Sequence, residues 1–260
     1  MQRSVTYTLI FATTVCVICS LFVSSAAVML KERQKTNFVL DRQAKILSVA
    51  GLIQEGEKLS PQEIRDRYQK YIVPRFVDLS TGEYVEEPTL NPETYDPKQI
   101  LRDPKLSREA PENPSRVARI PNHALIYQVV ENGDIKELIL PIEGKGLWST
   151  LRGYLALEKD AQTVRGLIFY EQAETPGLGG EVENPKWRAL WKGRKVFDEQ
   201  GTPKLAVIKG QAGTPEQDPY RVDGLSGATI TSRSVTYMIQ FWLSENGFGP
   251  FLKRFREGAA

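Results

Sequence analysis

The chain has 260 residues, 41% of them hydrophobic, and a formal charge of +2. That length holds one or two domains with a sizeable core, and so balanced a charge argues against nucleic acid as a partner. The two cysteines, Cys16 and Cys19, share one N-terminal apolar run, so the chain alone lacks the four thiolates of an iron–sulfur centre. The single histidine, His123, sits beside Pro121 and Asn122 at what reads as a strand end, which argues against a metal site and against a Ser-His-Asp triad.

Residues 4–30 carry no charge, and about 20 apolar residues cross a bilayer's hydrocarbon core. A cleaved signal peptide is the rival reading, with Ser25-Ala26-Ala27 as its cleavage site. The run exceeds a usual signal core and its basic flank is only Met1-Gln2-Arg3, so residues 1–35 are expected to be an uncleaved single-span anchor. Cys16 and Cys19 then read as packing residues rather than a redox pair. Lys31, Arg33 and Lys35 follow the span, and by charge alone that side belongs in the cytoplasm.

Residues 36–121 read as a helical and irregular membrane-proximal region. Val39, Ile46, Val49 and Ile53 suggest a helix from Phe38 to Ile53. Ser60-Pro61-Gln62-Glu63 is a capping box with proline at the first helical position, so a second helix should start there and stop before Pro74. Residues 82–121 are punctuated by prolines without a clean period and read as an irregular connection.

From 122 to 256 the pattern is α+β. Residues 124–130 and 135–142 flank Asn132-Gly133, a hairpin signature. Residues 153–157 and 164–170 form a second strand pair, and 204–208 a further strand. Asn184-Pro185 opens a helix carrying Trp187, Leu190 and Trp191. Hairpins with helices between them argue against a doubly wound sheet. A last helix carries Val235, Met238, Ile239, Trp242 and Leu243 on one face, ended by Gly247, Gly249 and Pro250.

The loop feeding that helix, Asp223-Gly224-Leu225-Ser226-Gly227-Ala228-Thr229-Ile230-Thr231-Ser232, is rich in small and hydroxyl residues. Thr231 or Ser232 are its candidate caps. Free amides and the positive dipole end at a helix N-terminus suit a phosphate, although the same residues suit an ordinary turn. Two further glycine-rich loops stand out, Gly144-Lys145-Gly146-Leu147-Trp148-Ser149 and Glu174-Thr175-Pro176-Gly177-Leu178-Gly179-Gly180. No Gly-x-Gly-x-x-Gly follows a strand, so direct NADH binding is not expected. As a set the loops fit a flat flavin ring: Trp148 and Leu178 as an apolar wall, Glu174 and Thr175 ordering the loop or meeting the polar edge. Trp148 by itself reads equally as a core tryptophan.

Ser226-Gly227-Ala228-Thr229 after Asp223-Gly224 resembles the flavinylation motif of subunits that carry FMN on threonine. Together with Glu174-Thr175-Pro176-Gly177-Leu178-Gly179 it is similar to the FMN-binding domain shared by two membrane redox complexes. In the sodium-translocating NADH:quinone reductase that domain belongs to the C component, and in the Rnf electron-transport complex to the G component. Residues 140–149 and Glu183-Asn184-Pro185-Lys186-Trp187 resemble the quinone-reductase branch, and dense similarity spans 138–245. The resemblance implies FMN joined through a phosphoester to Thr229, with Ser226, Gly227, Ala228, Asp223, Glu174, Thr175, Gly177, Leu178, Gly179 and Trp148 as cofactor-binding residues. It implies no catalytic residue and no metal ligand in this chain. A separate FMN transferase would load Thr229, with Asp223 as part of its recognition, as an orienter of metal-bound FAD, or simply as a turn former. The partners implied are the membrane and the other subunits, with electrons passing from NADH oxidation towards ubiquinone. The sodium path lies elsewhere, since the span has no acid. The implied location is the bacterial inner membrane with a periplasmic domain, against the charge count. The Rnf-type flavin protein and a non-redox membrane-anchored interaction subunit are the alternatives.

Overall fold

The computed structural model describes residues 4–54 and 56–258. Met1-Gln2-Arg3, the basic flank weighed above between anchor and signal peptide, lies outside the described residues, as does the C-terminal Ala260. The chain divides into two compact units, one ending at Asp41 and the other starting at Arg42. Helix α1 (Val5–Val49) contains a window of mean hydropathy 2.2 with none of it buried, long and apolar enough to cross a membrane. Cys16 and Cys19 are exposed on it. It ends before the expected Ile53 because Gly51 turns left-handed (φ +69°), with Leu52 N–H returning to the Leu47 carbonyl at 2.9 Å.

In the second unit, Ser60 and Glu63 make the expected capping box at α2 (Pro61–Tyr71). The chain then passes straight into β1 (Ile72–Asp78), with Pro74 inside it. The sequence reading placed no strand here, taking Pro74 as a stop. Proline fits because β1 pairs with β5 along its whole length, whereas β2 (Tyr84–Val85) meets only Val77 and Phe76. The missing N–H therefore costs no ladder bond on the unpaired side. The segment to residue 121 is irregular apart from the one-turn α3 (Pro97–Ile100) and the small ladder of β3 (Ser107–Glu109) with β4 (Arg119–Pro121).

β5 (His123–Glu131) starts at the lone histidine. It joins β6 (Asp134–Lys145) through Asn132 and Gly133, both at positive φ, as an Asn-Gly hairpin turn requires. β7 (Thr150–Glu158) and β8 (Val164–Glu171) complete an antiparallel sheet of order β2-β1-β5-β6-β7-β8. Both faces are buried, so side chains alternate between two cores. Leu138, Leu140, Leu155 and Leu167 point to one, Ile139, Tyr154, Ala156 and Ile168 to the other. The second core also holds Ile46 and Leu47 at the end of α1.

The first core is closed by the later elements. A 3₁₀ turn (Gly179–Glu183) leads to α4 (Pro185–Ala189), where Asn184 caps the Lys186 amide and Trp187 stacks edge-on against Trp191. The strand expected at 204–208 shrinks to β9 (Ala206–Val207), parallel to β10 (Arg221–Val222). Helix α5 (Thr229–Leu243) lies across β6: Trp242 donates to the Glu143 carbonyl at 2.7 Å, and Gly144 leaves room for Met238. Beyond it, Gly249 opens a further helix, α6 (Gly249–Arg256), where only a stop was expected. Its Phe251 and Leu252 are fully buried, so this short helix is held by tertiary packing.

Candidate functional site

The three glycine-rich loops meet at the start of α5, and the Glu174 carboxylate joins them. It is 4% exposed. One of its oxygens accepts from the amides of Trp148 (3.0 Å) and Ser149 (3.3 Å); the other accepts from the Leu147 amide (3.2 Å) and the Thr231 hydroxyl (2.8 Å). A buried carboxylate needs such donors when no cation offsets it. Two glycines make the close approach feasible. A Cβ on Gly146 would strike Glu174, and one on Gly179 would lie 2.6 Å from Thr231 Oγ1 and 2.9 Å from Glu174 Cβ. Glu174 thus orders the loops, one of the two roles open to it, by accepting from four donors on its two oxygens.

Thr231 and Ser232 do not cap α5. The N-cap position is Ala228, and no side chain caps the helix. Thr231 is turned to Glu174, while the Ser232 hydroxyl accepts from the Leu225 amide at 3.1 Å and pins the incoming loop. Thr229 is the first helical residue and is exposed, as are Ser226 and Gly227 in the turn before it. Gly227 is left-handed (φ +70°), and a Cβ there would lie 2.8 Å from Leu178 Cδ2. The first-turn amides of α5 are therefore open beside an exposed hydroxyl.

Two surfaces flank this turn. On the Glu174 side, Trp148 is 71% exposed, Ile230 55%, Leu147 47% and Leu178 43%. Among the described residues from 42 onward these are the exposed large hydrophobics, gathered round one point. Trp148 is no core tryptophan. On the opposite side a cleft of ≈630 Å³ runs along the α5 face carrying Thr229, Arg233 and Thr236, walled by the loop after β9 with Lys209 and Gly210. Thr236 Oγ1 accepts from the Val207 amide at 2.9 Å and fastens that wall to the helix. The buried Arg194 shapes the rest of the loop by donating to the carbonyls of Leu190, Gly213 and Asp218.

Asp223 lines the cleft, with Oδ1 bonded to the Ala212 amide at 2.8 Å, while its carbonyl accepts from Trp187 Nε1 at 2.8 Å. The Oδ1 bond is of the kind a turn former makes, one of the roles considered. Thr175 and Gly177 are exposed, and the Thr175 carbonyl accepts from Leu178 and Gly180, closing its loop tightly. The sequence reading missed Lys209, Arg233, Arg194 and Ile230. Arg233 alone carried a legible signal, four residues beyond Thr229 on the same helical face.

An apolar shelf, an uncapped helix start and a polar cleft define, as a class, an α+β flavin-nucleotide domain behind a helix of membrane-spanning length. The FMN-binding domain family matches residues 146–244. The chain is 44% identical over 259 residues to NqrC, a Na(+)-translocating NADH-quinone reductase subunit, of Yersinia pestis, covering 98% of this chain and 95% of that one. To the Pseudomonas aeruginosa NqrC it is 43% identical over 262 residues, covering 100% and 99%. The crystal structure of Shewanella oneidensis NqrC superposes with a TM-score of 0.76 at 31% identity, covering 86% of this chain and 99% of that one. The chain belongs to the NqrC family of Na(+)-translocating NADH-quinone reductase subunits.

Proposed function

We propose that this chain is the FMN-carrying subunit of a membrane Na+-translocating NADH:quinone reductase, with FMN joined by a phosphoester to Thr229. The observation that carries this is the exposed Thr229 at the uncapped first position of α5, between an apolar shelf and a polar cleft. The residues fit the group. Open α5 amides suit its phosphate. Leu147, Trp148, Leu178 and Ile230 suit its ring, and Gly227 keeps the approach free of a side chain. FMN, when bound, supplies reversible electron uptake and release. Every other task falls to the chain. Glu174 holds the Trp148 loop and the α5 start at a fixed spacing, Asp223 and Arg194 shape the cleft wall, and Gly177 and Gly179 let the Leu178 loop turn back on itself.

Ser226, Gly227, Ala228 and Ile230 flank Thr229, and none is a general base, so the hydroxyl needs a separate FMN transferase to activate it. Residues 4–30 anchor the chain in the bacterial inner membrane as a single span, and the folded unit lies in the periplasm. Neighbouring subunits then deliver and accept the electrons on the way from NADH to quinone. The relatives' names favour this over the Rnf-type and non-redox readings.

The test is a denaturing gel viewed under ultraviolet light, with the full chain expressed alone and with an FMN transferase. Wild type should fluoresce only with the transferase, and Thr229→Val should be dark while melting at the wild-type temperature. Fluorescence kept by Thr229→Val would sink the assignment and move it to Ser226, because Thr231 is buried against Glu174.

A further inference from the structure

The two flanks of α5's first turn differ in chemistry, and only the apolar one is used by a flavin ring. We propose that Lys209 and Arg233 form a diphosphate-binding wall that holds the donor dinucleotide while Thr229 is loaded and then neutralises the finished phosphoester. This rests on the reading of Thr229 as the FMN acceptor. Arg233 stands one helical turn beyond Thr229, and residues so spaced have Cβ atoms about 6 Å apart. Both border the cleft. Lys209 reaches it from the opposite wall, next to Gly210, whose φ of +86° lets the loop turn there.

The charge of the cleft is uneven. Its one acid among the described lining residues is Asp223, whose Oδ1 is occupied by the Ala212 amide. Lys209 and Arg233 are exposed, and among the described residues neither has an ion-pair partner. The cationic side chains therefore do nothing for the fold that the structure records. A guanidinium and an ammonium in the lining of one cleft suit phosphate oxygens. Size points to more than one phosphate: ≈630 Å³ is far larger than a single phosphodiester requires and suits a nucleotide-sized group.

The step balances without any redox change. The Thr229 oxygen forms a bond to the flavin-side phosphorus of FAD, and the anhydride bond between the two phosphorus atoms breaks. Adenylate leaves with the bridging oxygen, and the hydroxyl proton passes to the transferase or solvent. Charge on the diphosphate is greatest as that bond breaks, which is when two fixed cations help most.

The experiment loads the full-length chain in detergent with an FMN transferase and FAD, and follows the initial rate of covalent fluorescence at rising salt. The Lys209→Ala/Arg233→Ala variant should melt like wild type, load roughly tenfold or more slower, as expected on losing charge-assisted phosphate bonds, and lose most of the salt dependence. Arg233→Lys should retain most of the rate and Arg233→Glu the least. If wild type itself fails to load, the Thr229 reading falls. If wild type loads and the double variant matches its rate, or is slower with an unchanged salt slope, the cationic wall is refuted and the Thr229 reading stands.

Discussion

Replacing Glu174 by glutamine removes one charge and no volume, yet it should loosen the whole site. In the native chain one carboxylate oxygen serves the Trp148 and Ser149 amides and the other serves Leu147 N–H and Thr231 Oγ1. Glutamine keeps the first oxygen and puts an amide NH₂ where the second stood. The Thr231 hydroxyl can rotate to accept from it, but the Leu147 N–H cannot, so one donor is orphaned at about 1–3 kcal/mol. The surviving bonds fall from charge-assisted to neutral strength, which brings the total to roughly 3 kcal/mol. For a folded unit of about 200 residues that lowers the melting temperature by roughly 6–12 °C. Intrinsic tryptophan fluorescence on heating reads the global change. Amide hydrogen exchange at Leu147, Trp148 and Ser149 reads the local one and should accelerate first. A wild-type melting temperature together with wild-type protection at those amides would refute the claim that Glu174 organises the three loops.

Two further expectations concern pH and sidedness. Glu137 is 9% exposed on β6, with one oxygen 3.1 Å from Arg165 Nε and the other without a hydrogen-bond partner. Burial above all, then the nearby Glu158 and Glu131, raises its pKa from 4.5 to about 7, against the pull of Arg165. The folded chain then binds more protons than the unfolded one between these values, so this group's contribution falls as pH rises from about 4.5 to 7, by roughly 3 kcal/mol. Urea midpoints at pH 5 and pH 8 should show wild type losing more across that interval than Glu137→Gln; equal losses would rule the effect out. For sidedness, alkaline phosphatase fused after Ala260 should be active and a fluorescent protein that matures only in the cytoplasm should be dark; the reverse pattern overturns the periplasmic assignment.

Local chemistry made much of the fold legible. The Ser60 capping box, the Asn132-Gly133 hairpin, the Asn184 cap and the apolar face of α5 each follow from a few neighbouring residues, and each stands where expected. What escaped depends on partners distant in sequence. Pro74 reads as a breaker until β1 is known to pair with β5 alone at that residue. Thr231 and Ser232 are good capping residues by type, but Glu174 and the Leu225 amide engage them first. Gly249 looks like a terminator until Phe251 and Leu252 are seen in the core. In the site, the small-residue turn and both accompanying loops were visible as composition. That one carboxylate joins them was not, nor was the presence of Lys209 and Arg233 in the lining of one cleft, which rests on a separation of 24 positions that no local pattern encodes.

The start of α5 is where stability and use pull apart. Alanine is among the poorest N-cap residues, and a serine or aspartate at position 228 would stabilise the helix by about 1 kcal/mol by accepting a first-turn amide. Thr231 and Ser232 lie close by in the chain and also leave those amides alone. A cap would fill the position proposed for the flavin phosphate and would set a negative or lone-pair oxygen against it. Leaving the turn bare therefore keeps the amides and dipole directed at Thr229. The missing cap is offset elsewhere in the same helix, by Val235, Met238, Ile239 and Trp242 in the core and by the Trp242 bond to β6. The buried end fixes the course of the helix, and with it the place of Thr229, the proposed acceptor, between the apolar shelf and the cleft.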